Sequence, residues 1–269
     1  SGAVLSAPEV MLITQGSTEV SAPIEIERGA AISTLGQGAA AYDSGNGFVY
    51  QPGTTSVVTV SNGRLQWLAP QKRDDILPGP IRIGTCTIGD CTGTTRLYSE
   101  GSIAFATDNE FELDSAVRYG TRNLSLAVGA FNVGSPESLA AASARGALAP
   151  GLALNQQVMD RLLQGDTEAG APALETLELI AGGSLNFLGS VSLSTLDANG
   201  KSRLDNLMLC TPAIYGYGGV GDTARIQTGH LIWNGAAGQP GAVVADGAGT
   251  GSGSLDLQAE RISFGYGPY

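Results

Sequence analysis

The chain has 269 residues, 42% of them hydrophobic and 14% charged, with 39 glycines and a formal net charge of −11. It is too apolar to be disordered, and its wealth of Gly, Ser, Thr, Ala and Val suits short turns between half-buried strands better than helices. The 14 Lys and Arg are thinly spread, which argues against nucleic acid and against an anionic membrane surface. No apolar run reaches the ~18 residues of a membrane span, and the start SGAVLSAPEV lacks the basic and apolar regions of a signal peptide.

Residues 4 to 35 carry VMLI and then Ile24 and Ile26 alternating with Glu25 and Glu27 before a Gly29 corner and Ile32, a strand with its charges turned outward. From Ala40 to Ser56, turn residues interleave with Tyr42, Phe48 and Tyr50. This predicts a loop packed by its own aromatics, which either cover the flank of the core or stack sugars.

A unit then begins to recur: two apolar residues two apart, a small corner residue, a short turn, and a second apolar pair. Its copies are Val58, Val60, Asn62, Leu65, Trp67; Thr95, Leu97, Ser99, Ile103, Phe105; and Leu124, Leu126, Val128, Phe131, Val133. Later copies are Leu177, Leu179, Ala181, Leu185, Phe187; Leu207, Leu209, Thr211, Ile214; Ala224, Ile226, Thr228, Leu231, Trp233; and Leu255, Leu257, Ala259, Ile262, Phe264. The period of two makes each arm a strand with one buried face, and Gly63, Gly129, Gly182 and Gly229 after the corners predict bends of positive φ. Units that cannot bury their own apolar face must stack on one another. We therefore expect an all-β right-handed parallel β-helix, one segment spanning 1–269, with a β-sandwich as the alternative; the close FGYGPY, just after a strand unit, reads as a segment of something longer.

Between the first two units, APQKRDDILPGP predicts an exposed excursion, because Pro cannot join a central strand. Its Asp74 and Asp75 are either a carboxylate pair or part of a solvated loop. Cys86 and Cys91 flank a Gly89–Asp90 turn and predict a small-loop disulfide, since a zinc site would have only Cys210 and His230 left to recruit. Cys210 reads as a buried thiol.

Ser135, Pro136 and an Ala-rich run to Arg145 and Gly146 spell a capped helix, and Asn155 followed by QQVMDRLLQ and Gly165 a second. Residues 135–175 are thus expected as an α-helical insertion outside the stack, laying Val158, Leu162 and Leu163 on its exterior. Such a pair makes a step beside a flat sheet, so Arg145, Asp160, Arg161 and Gln164 are the candidate binding residues. A Gly-rich loop follows between Ala236 and Ser254.

The strings AYDSGNGFVYQPG, VRYGTRNLSLAV, LNQQVMDRLLQGDTEAGAPALETLEL and TPAIYGYGGVGDTARI resemble a late region of unknown function in filamentous haemagglutinin-like exoproteins, from about Ile24 onward. The resemblance implies a TpsA protein of two-partner secretion, exported through an outer-membrane TpsB transporter that engages another region. It also implies a right-handed β-helix that is secreted or held on the bacterial cell surface. It carries over no catalytic residue.

Three functions follow as expectations. The first is a structural and adhesive filament segment that meets a cell-surface receptor or glycan, and the second is the stalk or receptor-binding part of a contact-dependent inhibition protein. The third is a β-helix polysaccharide lyase or hydrolase, which needs two carboxylates across a sugar. One His and the alternating Asp108, Glu110 and Glu112, which also read as a solvent-facing edge, give the third weak support, so no enzyme, cofactor or metal is expected. GGVGD at residues 218–222 occurs once and is short of a calcium-repeat spacing, His230 reads as a turn residue, and Tyr215, Tyr217 and Tyr266 suit either an aromatic ladder or a sugar-stacking surface.

Overall fold

The computed structural model describes residues 2–19, 21–46, 48–70, 75–87, 89–167, 169–235 and 251–265. Among the described residues strand is the chief regular structure. β1 (Val4–Ser6) and β2 (Glu9–Gln15) precede β3 (Ile24–Ile26), β4 (Ala31–Ser33), β5 (Val49–Tyr50), β6 (Thr55–Ser61) and β7 (Gln66–Trp67). Next come β8 (Ile81–Ile83), β9 (Arg96–Tyr98), β10 (Ser102–Thr107), β11 (Phe111–Leu113), β12 (Arg118–Gly120) and β13 (Asn123–Gly134). Helix α1 (Pro136–Ala144), β14 (Leu152–Leu154) and α2 (Gln156–Gln164) interrupt them. The chain then returns to β15 (Thr176–Leu188), β16 (Val191–Ser194), β17 (Asn206–Cys210), β18 (Ile214–Gly216), β19 (Thr223–Asn234) and β20 (Ser254–Gly265).

These strands fall into a large sheet of 11 strands, one of four (β1-β4-β9-β12), one of three (β11-β8-β3) and the pair β5-β7. Sequence order matters here: the chain visits the three-stranded, four-stranded and large sheets in turn through β3, β4, β6, again through β8, β9, β10, and again through β11, β12, β13. Pairing within the two smaller sheets is parallel throughout. In the large sheet, Ile103, Leu124, Leu177, Leu207, Leu231 and Ile262 lie in one parallel row and Phe105, Leu126, Leu179, Leu209, Trp233 and Phe264 in the next.

One core receives all three sheets. Ile24, Ile26, Ile81, Ile83 and Phe111 from the first, Ile32, Leu97 and Tyr119 from the second, and the two rows from the large sheet as far as Leu231 and Trp233 join a single apolar cluster, while Ile262 and Phe264 at the end of the rows are exposed. The three-residue strands β3, β4 and β8 bury only their alternate residues, so the smaller sheets are not stable without the large one. At the corners, hydroxyls and amides bond their counterparts on neighbouring passes: Ser99 to Thr121 at 2.8 Å, Thr195 to Thr228 at 2.7 Å and Asn186 to Asn132 at 3.1 Å. Such pairs satisfy polar groups that a stacked bend would otherwise strand from water.

The structure departs from the sequence reading in four places. First, β2, β6 and β10 pair antiparallel, so the parallel register starts only beyond β10 in this sheet. Period-two alternation fixes which face a residue takes and is blind to strand direction. Second, Gly63, Gly129, Gly182 and Gly229 do not have positive φ. They are small for close approach instead: a Cβ at Gly129 would lie 2.5 Å from Asp108 Oδ1 and one at Gly229 2.8 Å from Ser202 Cβ. Third, Trp67 belongs with Val57, Leu65, Ala104, Ala106, Ala127 and Ile180 in a second cluster on the opposite face of the large sheet, under Tyr50 and Phe48. Fourth, the second half of the helical segment is not outside the core: Leu154, Met159, Leu162 and Leu163 are all part of the main cluster, and β14 pairs with β13, whereas α1 packs in a separate small cluster.

Candidate functional site

Both helices begin as their sequences demand. Ser135 accepts from the Ser138 N–H at 3.1 Å with Pro136 behind it, and Asn155 accepts from the Val158 N–H at 2.9 Å. Leu139 and Ala142 of α1 pack on Leu188, whereas α2 sinks its Met159, Leu162 and Leu163 edge into the main core. The chain leaving α2 is locked down by Asp166. Its carboxylate accepts from the Tyr98 hydroxyl at 2.5 Å and pairs with Arg118 at 2.8 Å, and the segment runs so close over β12 that a Cβ on Gly120 would meet Ala171 and Asp166. Burial first, then the bond to the Asp166 carboxylate, pushes the Tyr98 phenol up to about 12. Burial also raises the Tyr119 phenol, whose hydroxyl donates to the Leu162 carbonyl at the foot of α2.

Between α2 and β11 this leaves a groove of about 430 Å³, in the ~300–1,000 Å³ range of binding pockets. Its apolar part is Leu113, Val117, Leu152 and Val158; one wall carries Glu110, Glu112 and Asp114, and the other Arg161 and Gln164. Arg161 and Gln164 are therefore brought together on one face, with their side chains exposed. Asp160 faces away, 2.5 Å from Arg203 and 3.0 Å from the Gln156 amide. Arg145 caps α1, is exposed, and does not line the groove. Glu110 pairs with Arg82 at 2.9 Å and Asp114 lies 3.8 Å from Arg28, so the acidic wall is partly offset from behind.

A second cleft, of about 550 Å³, lies on the outer face of the large sheet and escaped sequence reasoning. Glu178, Met208, Cys210 and Asn234 line it with Trp67, Arg64 and Phe264. Desolvation raises the Glu178 carboxyl against a lowering bond from Ser125 Oγ, and burial followed by the nearby Glu178 charge pushes the Cys210 thiol up to about 12. A thiol so held is inert as a nucleophile. The signal was present: in TLELIA, Glu178 is the lone charge on a face that its neighbours Met208 and Cys210 continue in register.

The other sequence candidates resolve into local structure. Cys86 and Cys91 are bonded, with their Cα atoms 5.7 Å apart, and Cys210 is the free cysteine. Tyr42, Phe48, Tyr50 and Trp67 form a chain of ring contacts, with Tyr42 and Phe48 at 4.7 Å and Tyr50 and Trp67 at 4.9 Å, that covers the second cluster. In GGVGD, Asp222 accepts from the Gly219 N–H at 2.8 Å and from Ser190 Oγ at 2.7 Å. His230 bonds Asn206, Ser263 and Arg261 across three passes. Asp74, Tyr266 and most of the Gly-rich loop lie outside the described residues. Among the described residues no cluster of His, Cys, Asp and Glu could hold a metal ion. In comparisons with known proteins, no family model, no curated protein and no solved structure matches the chain.

Proposed function

We propose that the chain winds as a right-handed parallel β-helix and serves as a structural and adhesive segment of a large, secreted or surface-anchored bacterial exoprotein of the filamentous haemagglutinin type. The observation that carries the reading is the strand order: three sheets around one core, visited in the same sequence three times over. A chain that does this advances by one strand spacing, ~4.8 Å, per circuit and gains length without new architecture. A rod of this kind leaves recognition to whatever interrupts it, and the groove beside α2 is such an interruption. Export through a TpsB transporter would use another part of the exoprotein.

Beads coated with the purified protein, scored for attachment to host cells and to an extracellular-matrix layer, test adhesion. Severalfold more attachment than to beads coated with an unrelated β-rich protein is expected; attachment equal to that control overturns the adhesive reading. Small-angle scattering reads the shape independently: an elongated distance distribution is expected, and a spherical one overturns the β-helix.

A further inference from the structure

The groove beside α2 has a property that its side chains do not convey: one of its walls is the open edge of a sheet. β11 ends the three-stranded order β11-β8-β3, and in its parallel bonds to β8 the Ile81 N–H donates to the Glu110 carbonyl and the Asp114 N–H donates to the Ile83 carbonyl. In a parallel ladder the residues that bond a given neighbour alternate. The even-numbered residues therefore face β8, and Phe111 and Leu113 turn their N–H and C=O groups the other way, toward the groove that both residues line. Among the described residues β8 is the one strand paired with β11, so no strand lies on that side. The contrast with the neighbouring sheet is direct, because the edge of β12 is covered by the segment carrying Asp166 and Ala171. After β13 the chain makes α1, β14 and α2 where a fourth strand of the β3-β8-β11 sheet would lie, and α2 stands off far enough to leave the groove.

We propose that β11 is a docking edge on which an extended peptide segment of a partner protein adds as a fourth strand, bonding Phe111 and Leu113, with basic side chains alternating with aliphatic ones. Strand addition draws affinity from main-chain bonds and specificity from alternate side chains. Here one set meets the apolar lining of Leu113, Val117, Leu152 and Val158, while the other passes Glu110, Glu112 and Asp114. Glu112 is exposed and free of any ion pair among the described residues, so it is the wall's strongest attraction for a cation. The chain's net charge of −11 steers a basic segment toward it from a distance. Arg161 and Gln164, across the groove, can hydrogen-bond the peptide's outer carbonyls. The inference rests on the adhesive reading only in supplying the kind of partner such a segment meets.

The test is fluorescence anisotropy of the intact protein with pooled ten-residue peptides in which Lys or Arg alternates with Val, Leu or Ile. The comparison pools carry Glu in place of the basic residues, or N-methyl groups on alternate amides. Basic peptides are expected to bind, to lose roughly ten-fold or more in affinity on N-methylation of one edge but not of the other, and to bind the Glu112→Lys protein roughly ten-fold more weakly. Leu113→Pro, which removes an N–H that β8 does not use, is expected to weaken binding similarly; because a proline there can also disturb folding, Glu112→Lys at an exposed position provides the independent check. Equal binding of the acidic pool, indifference to N-methylation on both edges, or binding of a neutral glycan panel but of no peptide overturns the proposal. Bead attachment that persists while every peptide fails sinks strand addition and leaves adhesion standing, so the two failures are told apart.

Discussion

Along β13 and β15, Leu124, Leu126, Leu177 and Leu179 enter the shared core, while Ser125, Ala127, Glu178 and Ile180 occupy the opposite face of the same strands. The inner face is an unbroken apolar surface shared by three sheets. The outer face is a patchwork: a small cluster around Val57, Trp67 and Ile180, an aromatic cover from Tyr42 to Tyr50, and a cleft that holds Glu178 and Cys210. The difference shows how the chain divides its work, since inward residues are fixed by the neighbours above and below, and outward residues are free to differ from pass to pass. The helical segment belongs to both regimes, with Met159, Leu162 and Leu163 in the inner core and Arg161 and Gln164 on the outside.

The largest break in that comparison comes from removing the helical segment. Replacing residues 135–175 by a Gly/Ser linker strips Leu154, Met159, Leu162, Leu163 and Leu174 from the main cluster. At ~2–5 kcal/mol for each large apolar side chain lost, this matches or exceeds the ~5–15 kcal/mol stability of an ordinary domain. Loss of a cooperative urea transition is expected, and a variant that unfolds like the parent would show that the helices only decorate the sheets. Next in size, Leu126→Ala on the inner face is expected to cost ~3–5 kcal/mol and Ile180→Ala on the outer face less, measured by the shift in urea midpoint at constant slope. Equal costs would mean that the two faces are equally packed.

How much of this was legible in sequence depends on what period two can encode. It picked the inward residues of most units, including Trp233, which lies in register between Leu209 and Phe264, but Ile214, Leu255, Ile262 and Phe264 are exposed. It failed for Trp67 because alternation identifies a face and not the ladder a residue joins, and β7 pairs only with β5, outside the three main sheets. The caps of both helices were readable because Ser135 and Asn155 act on their own next turn. Arg161 and Gln164 were named from the outer face of α2, but the acidic wall opposite lies some 50 residues earlier, and no local pattern joins the two. Nor does the string FEL announce that among the described residues β11 has no strand beyond it, because an edge is a property of the whole sheet.

The Asp166 lock sharpens the comparison at the point where the helical segment rejoins the strands. Asp166→Asn keeps the shape but loses the ion pair with Arg118, and is expected to cost ~1–3 kcal/mol in thermal or urea unfolding. The same site sets an alkaline limb. The Tyr98 phenol is raised in the folded protein from 10.0 to about 12, so its contribution is fully present below pH 10 and is lost as pH rises toward about 12. Tyr98→Phe is expected to flatten that limb and to leave the midpoint at pH 7 lower by the missing bond to Asp166.

The smallest effect, and the one that separates the two faces by sign, belongs to Glu178. Its folded carboxyl is raised from the 4.5 of a free one, chiefly by desolvation, with the Ser125 hydroxyl and the charge of Arg64 pulling the other way. A raised carboxyl contributes stability that is complete below the unfolded value and is lost as pH climbs through the folded one, so at neutral pH the Glu178 carboxyl costs stability that a neutral group there would not. Glu178→Gln keeps the volume and the capacity to bond Ser125 while removing the charge, and it is expected to raise the melting temperature slightly at pH 7 and not at pH 4. Every inner-face substitution lowers stability at both pH values; if Glu178→Gln does the same, the outer cleft is as much a part of the packed core as Leu126.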